Sequence, residues 1–173
     1  MLLALLIALA PAGQEGDAQA FTSLSDLEGK PLADGRYAQE VKDGRLHIEA
    51  RYDFSDGRVV VERAVLRLHP QIEQESWDWT ERKDGTLLRS YEVDLRTGKA
   101  VATRMDEKKR WRDDVDVEPG KTFAGIGFIV AVKSLRDQLA PGQKTELKAI
   151  AFTPRPRSAT VSIIHGGRET GRG

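Results

Sequence analysis

Apolar and polar side chains alternate along residues 46–54 of this chain. Leu46, Ile48, Ala50, Tyr52 and Phe54 lie on one side, and His47, Glu49, Arg51 and Asp53 on the other. A period of two sends successive side chains to opposite faces of a strand. Such a segment turns one face to a core and one to water, as antiparallel strands do. The pattern recurs between turn signals. Residues 37–41 predict a short first strand closed by Asp43-Gly44, residues 45–54 a second, and residues 58–68 a third, entered through Asp56-Gly57 and rich in β-branched Val59, Val60, Val61 and Val65. Asp-Gly pairs suit hairpin turns because both residues tolerate positive φ. Pro70 precedes the next strand, where a missing backbone donor does least harm. Further strands are predicted over 71–82, 86–95, 99–105 and 111–117, separated by Asp84-Gly85, Thr97-Gly98 and the charged tip 106–110. Residues 13–36, punctuated by Asp26, Gly29, Pro31 and Asp34-Gly35, read as a loop-like N-terminal region.

After Pro119-Gly120 the pattern changes. Residues 123–132 are almost wholly apolar, and Lys133, Arg136 and Asp137 enter only near the end of the run. This predicts a helix near 122–139, stopped by Pro141-Gly142. Gly125 and Gly127 weaken its first turn by about 1 kcal/mol each relative to alanine and suit close packing of helix on sheet. A helix apolar nearly all round is expected to be covered on most sides. Two more strands, 145–152 and 158–165, flank Pro154-Arg155-Pro156, and the tail 166–173 reads as unstructured or as the first half of another hairpin. The fold class that follows is mainly β (α+β). It is one domain over residues 37–165, a curved antiparallel β-meander or half-barrel packed on one apolar helix.

Composition narrows the functional classes. Lys plus Arg and Asp plus Glu number 27 each, so the formal net charge is zero, without the basic excess of a nucleic-acid binder. Residues 1–10 carry no polar side chain, and ten residues make a helix of about 15 Å, half a bilayer core. The run therefore predicts no integral membrane span. It reads as a secretory signal segment over residues 1–12, with cleavage after Ala12 or after Ala20. No Lys or Arg precedes it, and a buried N-terminal helix or strand is the other reading. The chain has no cysteine, which removes disulfides, thiolate metal sites and lipidation of a leader cysteine. An exported, cysteine-free, charge-balanced chain is expected in a bacterial periplasm.

Candidate chemistry is sparse. His47, His69 and His165 stand on separate predicted elements, without the paired spacing of a histidine metal site. Residues 114–118, Asp-Val-Asp-Val-Glu, lack the glycine and glutamate that a calcium loop needs at its sixth and twelfth positions, and read as a strand with one acidic face. Gly125-Ile126-Gly127 lacks the third glycine and the βαβ context of a dinucleotide turn. No nucleophile elbow or phosphate loop occurs, so no catalytic residue is expected and no cofactor is assigned. A carboxylate hydrolase would need two acids converging in a cleft, which a sequence does not display. Basic residues 108–112, enclosing Trp111, run directly into Asp113, Asp114 and Asp116 and read as a solvated strand end. Trp77, Trp79 and Tyr91 form an aromatic stripe that lines a cavity or serves as ordinary core.

The hairpin meander, the Trp77-Asp78-Trp79 and Tyr91-Glu92-Val93-Asp94 strands, and the interrupting apolar segment 123–139 together carry a resemblance. Over residues 37–165 the chain resembles uncharacterised secreted bacterial proteins thought to share the half-barrel of the outer-membrane lipoprotein carriers. The resemblance implies a curved sheet wrapped around helical structure, with acyl chains sheltered in the concavity. The expected function is thus non-enzymatic binding of a lipid or other apolar ligand in the periplasm. Trp77, Trp79 and Tyr91 serve as wall, and Phe123 and Phe128 of the helix as plug or lid. The alternative is a structural or interaction module of the bacterial envelope, with a protein partner and no ligand cavity.

Overall fold

The computed structural model describes residues 15–136 and 138–166. The expected signal segment 1–12 and nearly all of the tail lie outside them. Eight antiparallel strands run in chain order through one sheet: β1 (Ala18–Ser25), β2 (Pro31–Lys42), β3 (Arg45–Phe54), β4 (Arg58–Arg67), β5 (Glu73–Lys83), β6 (Thr86–Asp94), β7 (Lys99–Arg104) and β8 (Lys109–Asp114). Each strand pairs only with its neighbours in sequence, and the sheet is not closed: β1 and β8 are its edges. The mainly β, open-meander expectation therefore describes the fold. Asp43-Gly44 and Asp84-Gly85 have positive φ at both residues, the backbone that two-residue hairpin turns require.

One face of the meander is apolar. Across it run the register partners Tyr37, Ala50, Glu62, Trp79, Tyr91 and Ala102, and beside them Ile48, Ala64, Trp77, Val93 and Ala100. That face receives the rest of the chain: β9 (Thr122–Ala124), helix α1 (Gly125–Leu135), β10 (Lys144–Phe152) and β11 (Pro156–Ile164). The last strands form a second sheet of order β11-β10-β9, with β9 parallel to β10. Ala124, Ile126, Val130 and Ile150 from this unit join Tyr37, Leu46, Leu66, Trp77 and Val93 in the main core. A smaller cluster of Phe123, Ala131 and Leu147 holds the unit together internally.

Two expectations are corrected. Residues 13–36 are not a loop-like region, because β1 and the first half of β2 lie there. Asp26 and Gly29 make only the turn between them, Asp26 Oδ1 accepting the Glu28 and Lys30 amides at 3.0 and 2.9 Å. Gly35 is a strand residue that leaves room for a neighbour. A Cβ there would meet Thr22 Oγ1 at 2.1 Å and the Tyr52 ring at 2.8 Å. The helix is shorter than 122–139, since Thr122–Ala124 extends as a strand against Lys148–Ile150. Phe123 accordingly stands on β9, not on the helix. The helix is covered on most sides, as expected, with Ile129 exposed at 39%.

Candidate functional site

The helix is fastened to the sheet at its N-terminus by polar side chains. No side chain of its own caps it, since the residue before it is Ala124. Glu62 of β4 supplies the missing acceptor. Its Oε1 receives the Ile126 amide at 2.6 Å and the Trp77 indole N–H at 2.7 Å, and the partial positive charge of a helix start favours a carboxylate there. One strand away, Gln74 Oε1 accepts the Ala124 amide at 2.7 Å while its Nε2 donates to the Ala124 carbonyl at 3.2 Å. Burial pushes the Glu62 pKa up and outweighs the two donors that draw it down, with the Asp78 charge adding to the rise. The glycines follow from this contact. A Cβ on Gly125, which has φ +50°, would lie 2.1 Å from both Glu62 Oε1 and Trp77 Nε1, and one on Gly127 would lie 2.4 Å from the Gln74 amide. Gly125-Ile126-Gly127 is thus a close-packing sequence.

The expected ligand-binding residues fall into two groups. Trp77, Trp79 and Tyr91 share the inner face of β5 and β6. Trp79 stacks on Tyr91 with ring centroids 5.2 Å apart. Phe152, the last residue of β10, closes over this stripe at 5.3 Å from Trp77 and 5.2 Å from Tyr91. Phe123 is 2% exposed in the small cluster, with Phe128 half-buried against it, so these two do not meet the stripe. The sequence offered no sign that Phe152 would cover Trp77 and Tyr91, because these rings lie about 60 to 75 positions earlier, in another sheet.

Trp77 is buried, but Trp79, Tyr91, Tyr52 and Val60 remain half-buried. Tyr91 keeps this exposure although Phe152 lies against it, whereas Trp79, Tyr52 and Val60 lie on the same inner face without a ring contact to Phe152. Tyr52 and Val60 belong to the next row along that face, which is charged from β5 onward: Glu81 on β5 faces Val60 on one side and Arg89 of β6 on the other, and Arg89 faces Arg104 on β7. Arg58, whose guanidinium stands 4.5 Å from the Phe54 ring centroid, reaches Glu81 at 3.3 Å.

At the other end of the same strands a groove of about 550 Å³ opens among residues 67–75, 95–98 and 115–122. Leu95 and Val115 are among its buried lining. Its carboxylates are engaged in ion pairs: Glu73 with Arg67, Glu75 with Arg45 at 2.9 Å, and Asp116 and Glu118 with Lys148 at 2.5 and 3.6 Å. The strand expected through residue 117 ends at Asp114, so residues 115–118 are not strand, although Val115 is buried and Asp116 exposed. His47 and His69 are exposed, and among the described residues no group of three or more His, Cys, Asp or Glu is placed to hold a metal ion. No described helix is long and apolar enough to cross a membrane. Comparison with known protein families, with characterised proteins and with solved structures gives no match.

Proposed function

We propose that this is a non-enzymatic periplasmic binding protein that shelters a lipid or other apolar ligand against the inner face of its open sheet. The observation that supports this reading most is the half-buried aromatic patch of Tyr52, Trp79 and Tyr91, which continues the core along the inner face. Phe152 of the plug reaches Trp77 and Tyr91, while Tyr52, Val60 and Trp79 are left half-buried. An acyl chain laid there gains about 0.8 kcal/mol per buried methylene, so about ten methylenes supply the roughly 8 kcal/mol of micromolar binding before ordering costs. Native mass spectrometry of protein recovered from a bacterial periplasm without detergent tests the reading. A mass excess that matches a lipid and disappears on denaturation supports it. Bare protein that also takes up no added lipid refutes it.

A second reading, an interaction module of the envelope, draws on the edges of the main sheet. Five of the six residues of β8 (Lys-Arg-Trp-Arg-Asp-Asp) are charged, which discourages strand addition. The opposite edge, β1 (Ala-Gln-Ala-Phe-Thr-Ser-Leu-Ser), has no charge, no proline and no glycine, and Phe21 at its centre is 86% exposed. An extended partner segment fits such an edge. Lysine at Thr22 then abolishes any association seen by sedimentation, and unchanged association with that variant rejects the β1 edge.

A further inference from the structure

Arg89 and Arg104 are direct cross-strand partners on the inner face, one register step from Tyr91 and Ala102. Like charges placed opposite each other in an antiparallel pair repel. Their surroundings neutralise them loosely. Asp106 is 3.5 Å from Arg89 and 3.8 Å from Arg104, and Glu81 stands 3.8 Å from Arg89 Nε, beyond hydrogen-bond reach. The one close pair is Arg104 with Glu107 at 2.7 Å. Arg89 Nε and Arg104 Nε are both buried, and neither has a hydrogen-bond partner. Two adjacent buried donors without acceptors are an uncommon expense in a folded protein. An anion seated between them would use both and remove the repulsion.

From this juxtaposition we infer that the ligand is a single-chain anionic amphiphile, with its head on the Arg89–Arg104 pair and its chain along Trp79, Tyr91, Tyr52 and Val60. The inference rests on the apolar-ligand reading above and adds the head group. The order of residues sets the polarity of the ligand. The aromatic pair Trp79–Tyr91 is one step in from Glu81–Arg89 on the same two strands, so a chain running inward from the arginines meets aromatic surface at once. A guanidinium presents planar donors that match a carboxylate or phosphate. Lys109, the register partner of Arg104 on β8, pairs with Glu107 at 3.1 Å and so shares that carboxylate with Arg104.

The test is titration of the full-length chain with laurate, with dodecanol and with inorganic phosphate, each below micellar concentration, followed by tryptophan fluorescence and calorimetry. Wild type is compared with Arg89→Gln/Arg104→Gln. Laurate is expected to bind wild type at least tenfold more tightly than the double variant, with dodecanol binding both alike and phosphate alone binding far more weakly than laurate. Equal laurate affinity in the two proteins overturns the head-group assignment and leaves the apolar site standing. Failure of both laurate and dodecanol to bind wild type overturns the apolar reading as well. Phosphate binding as tightly as laurate reduces the pair to a plain anion site and overturns the amphiphile. Thermal unfolding checks that the double variant folds. Should it not, Arg89→Lys keeps the charge, deletes one Nε–H and still lowers laurate affinity selectively if the inference holds.

Discussion

Replacing Gly125 by alanine tests how the plug is fastened. Its φ of +50° lies in the left-handed region, which costs an L-residue about 1–2 kcal/mol. The added Cβ would stand 2.1 Å from Glu62 Oε1 and 2.1 Å from Trp77 Nε1, well inside contact distance. Glu62 and Trp77 must therefore part, and a hydrogen bond to a charged group contributes about 1.5–3 kcal/mol. Together the two effects come to about 3–5 kcal/mol, a large share of the 5–15 kcal/mol typical of a folded domain. Gly142 supplies the control. Its φ is +81°, but nothing lies within 4 Å of where its Cβ would be, so Gly142→Ala carries only the backbone cost. Urea unfolding followed by tryptophan fluorescence measures both. A Gly125→Ala variant within about 1 kcal/mol of Gly142→Ala would show that the Glu62–Trp77–helix contact does not hold the plug.

Other expectations follow from the same contacts. Burial raises the folded-state pKa of Glu62, so its contribution to stability is largest below the ordinary glutamate range and is lost as pH rises through the raised value. Glu62→Gln keeps an acceptor for Ile126 and Trp77 while removing the charge, and flattens that stretch of the stability–pH curve. Unfolding midpoints across mildly acidic pH that fall in parallel for both proteins argue against it. Burial, assisted by the Glu15 charge, pushes the Tyr37 pKa up to about 12. Its stabilising share is intact below the unfolded-state value near 10 and disappears as pH rises through 12. Ultraviolet titration of wild type against Tyr37→Phe should lack one late-ionising phenol in the variant. Phe152→Ala uncovers Trp77 and Tyr91, costs about 2–3 kcal/mol and shifts tryptophan emission to the red. Unshifted emission means Phe152 is not their cover.

The meander was legible because its information is local. Alternation in residues 46–54 and Asp-Gly pairs at 43–44 and 84–85 state both the strands and the turns that join them. The first hairpin was missed for the converse reason. Ala18–Ser25 contains Ser, Thr, Gln and Ala where a strand usually carries large β-branched residues, and Gly35 reads as a turn until Tyr52 is seen filling its missing side chain. At the plug, apolar Thr122–Ala124 and the helix form one run, and the boundary between them is set by long-range partners: Lys148–Ile150 pairs with the strand, and Glu62 and Gln74 hold the turn. Trp77, Trp79 and Tyr91 were recognisable as a stripe from spacing alone. Their cover by Phe152, and the Arg89–Arg104 pair beside them, depend on register between strands, which single-strand periodicity does not encode.

The neighbour-only order of the main sheet sets a timetable for assembly. Every pairing from β1 to β8 is a hairpin that closes as soon as its second strand emerges, so the sheet can zip in the direction of synthesis with short loop closures. The plug, residues 122–164, follows the sheet in the chain and requires distant contacts, with Glu62 and Gln74 already waiting on the finished sheet. Until it docks, the inner face from Leu46 to Val93 stands open to water. The nascent protein therefore passes through a stage at which its whole concavity is uncovered, and that is the stage most prone to aggregation.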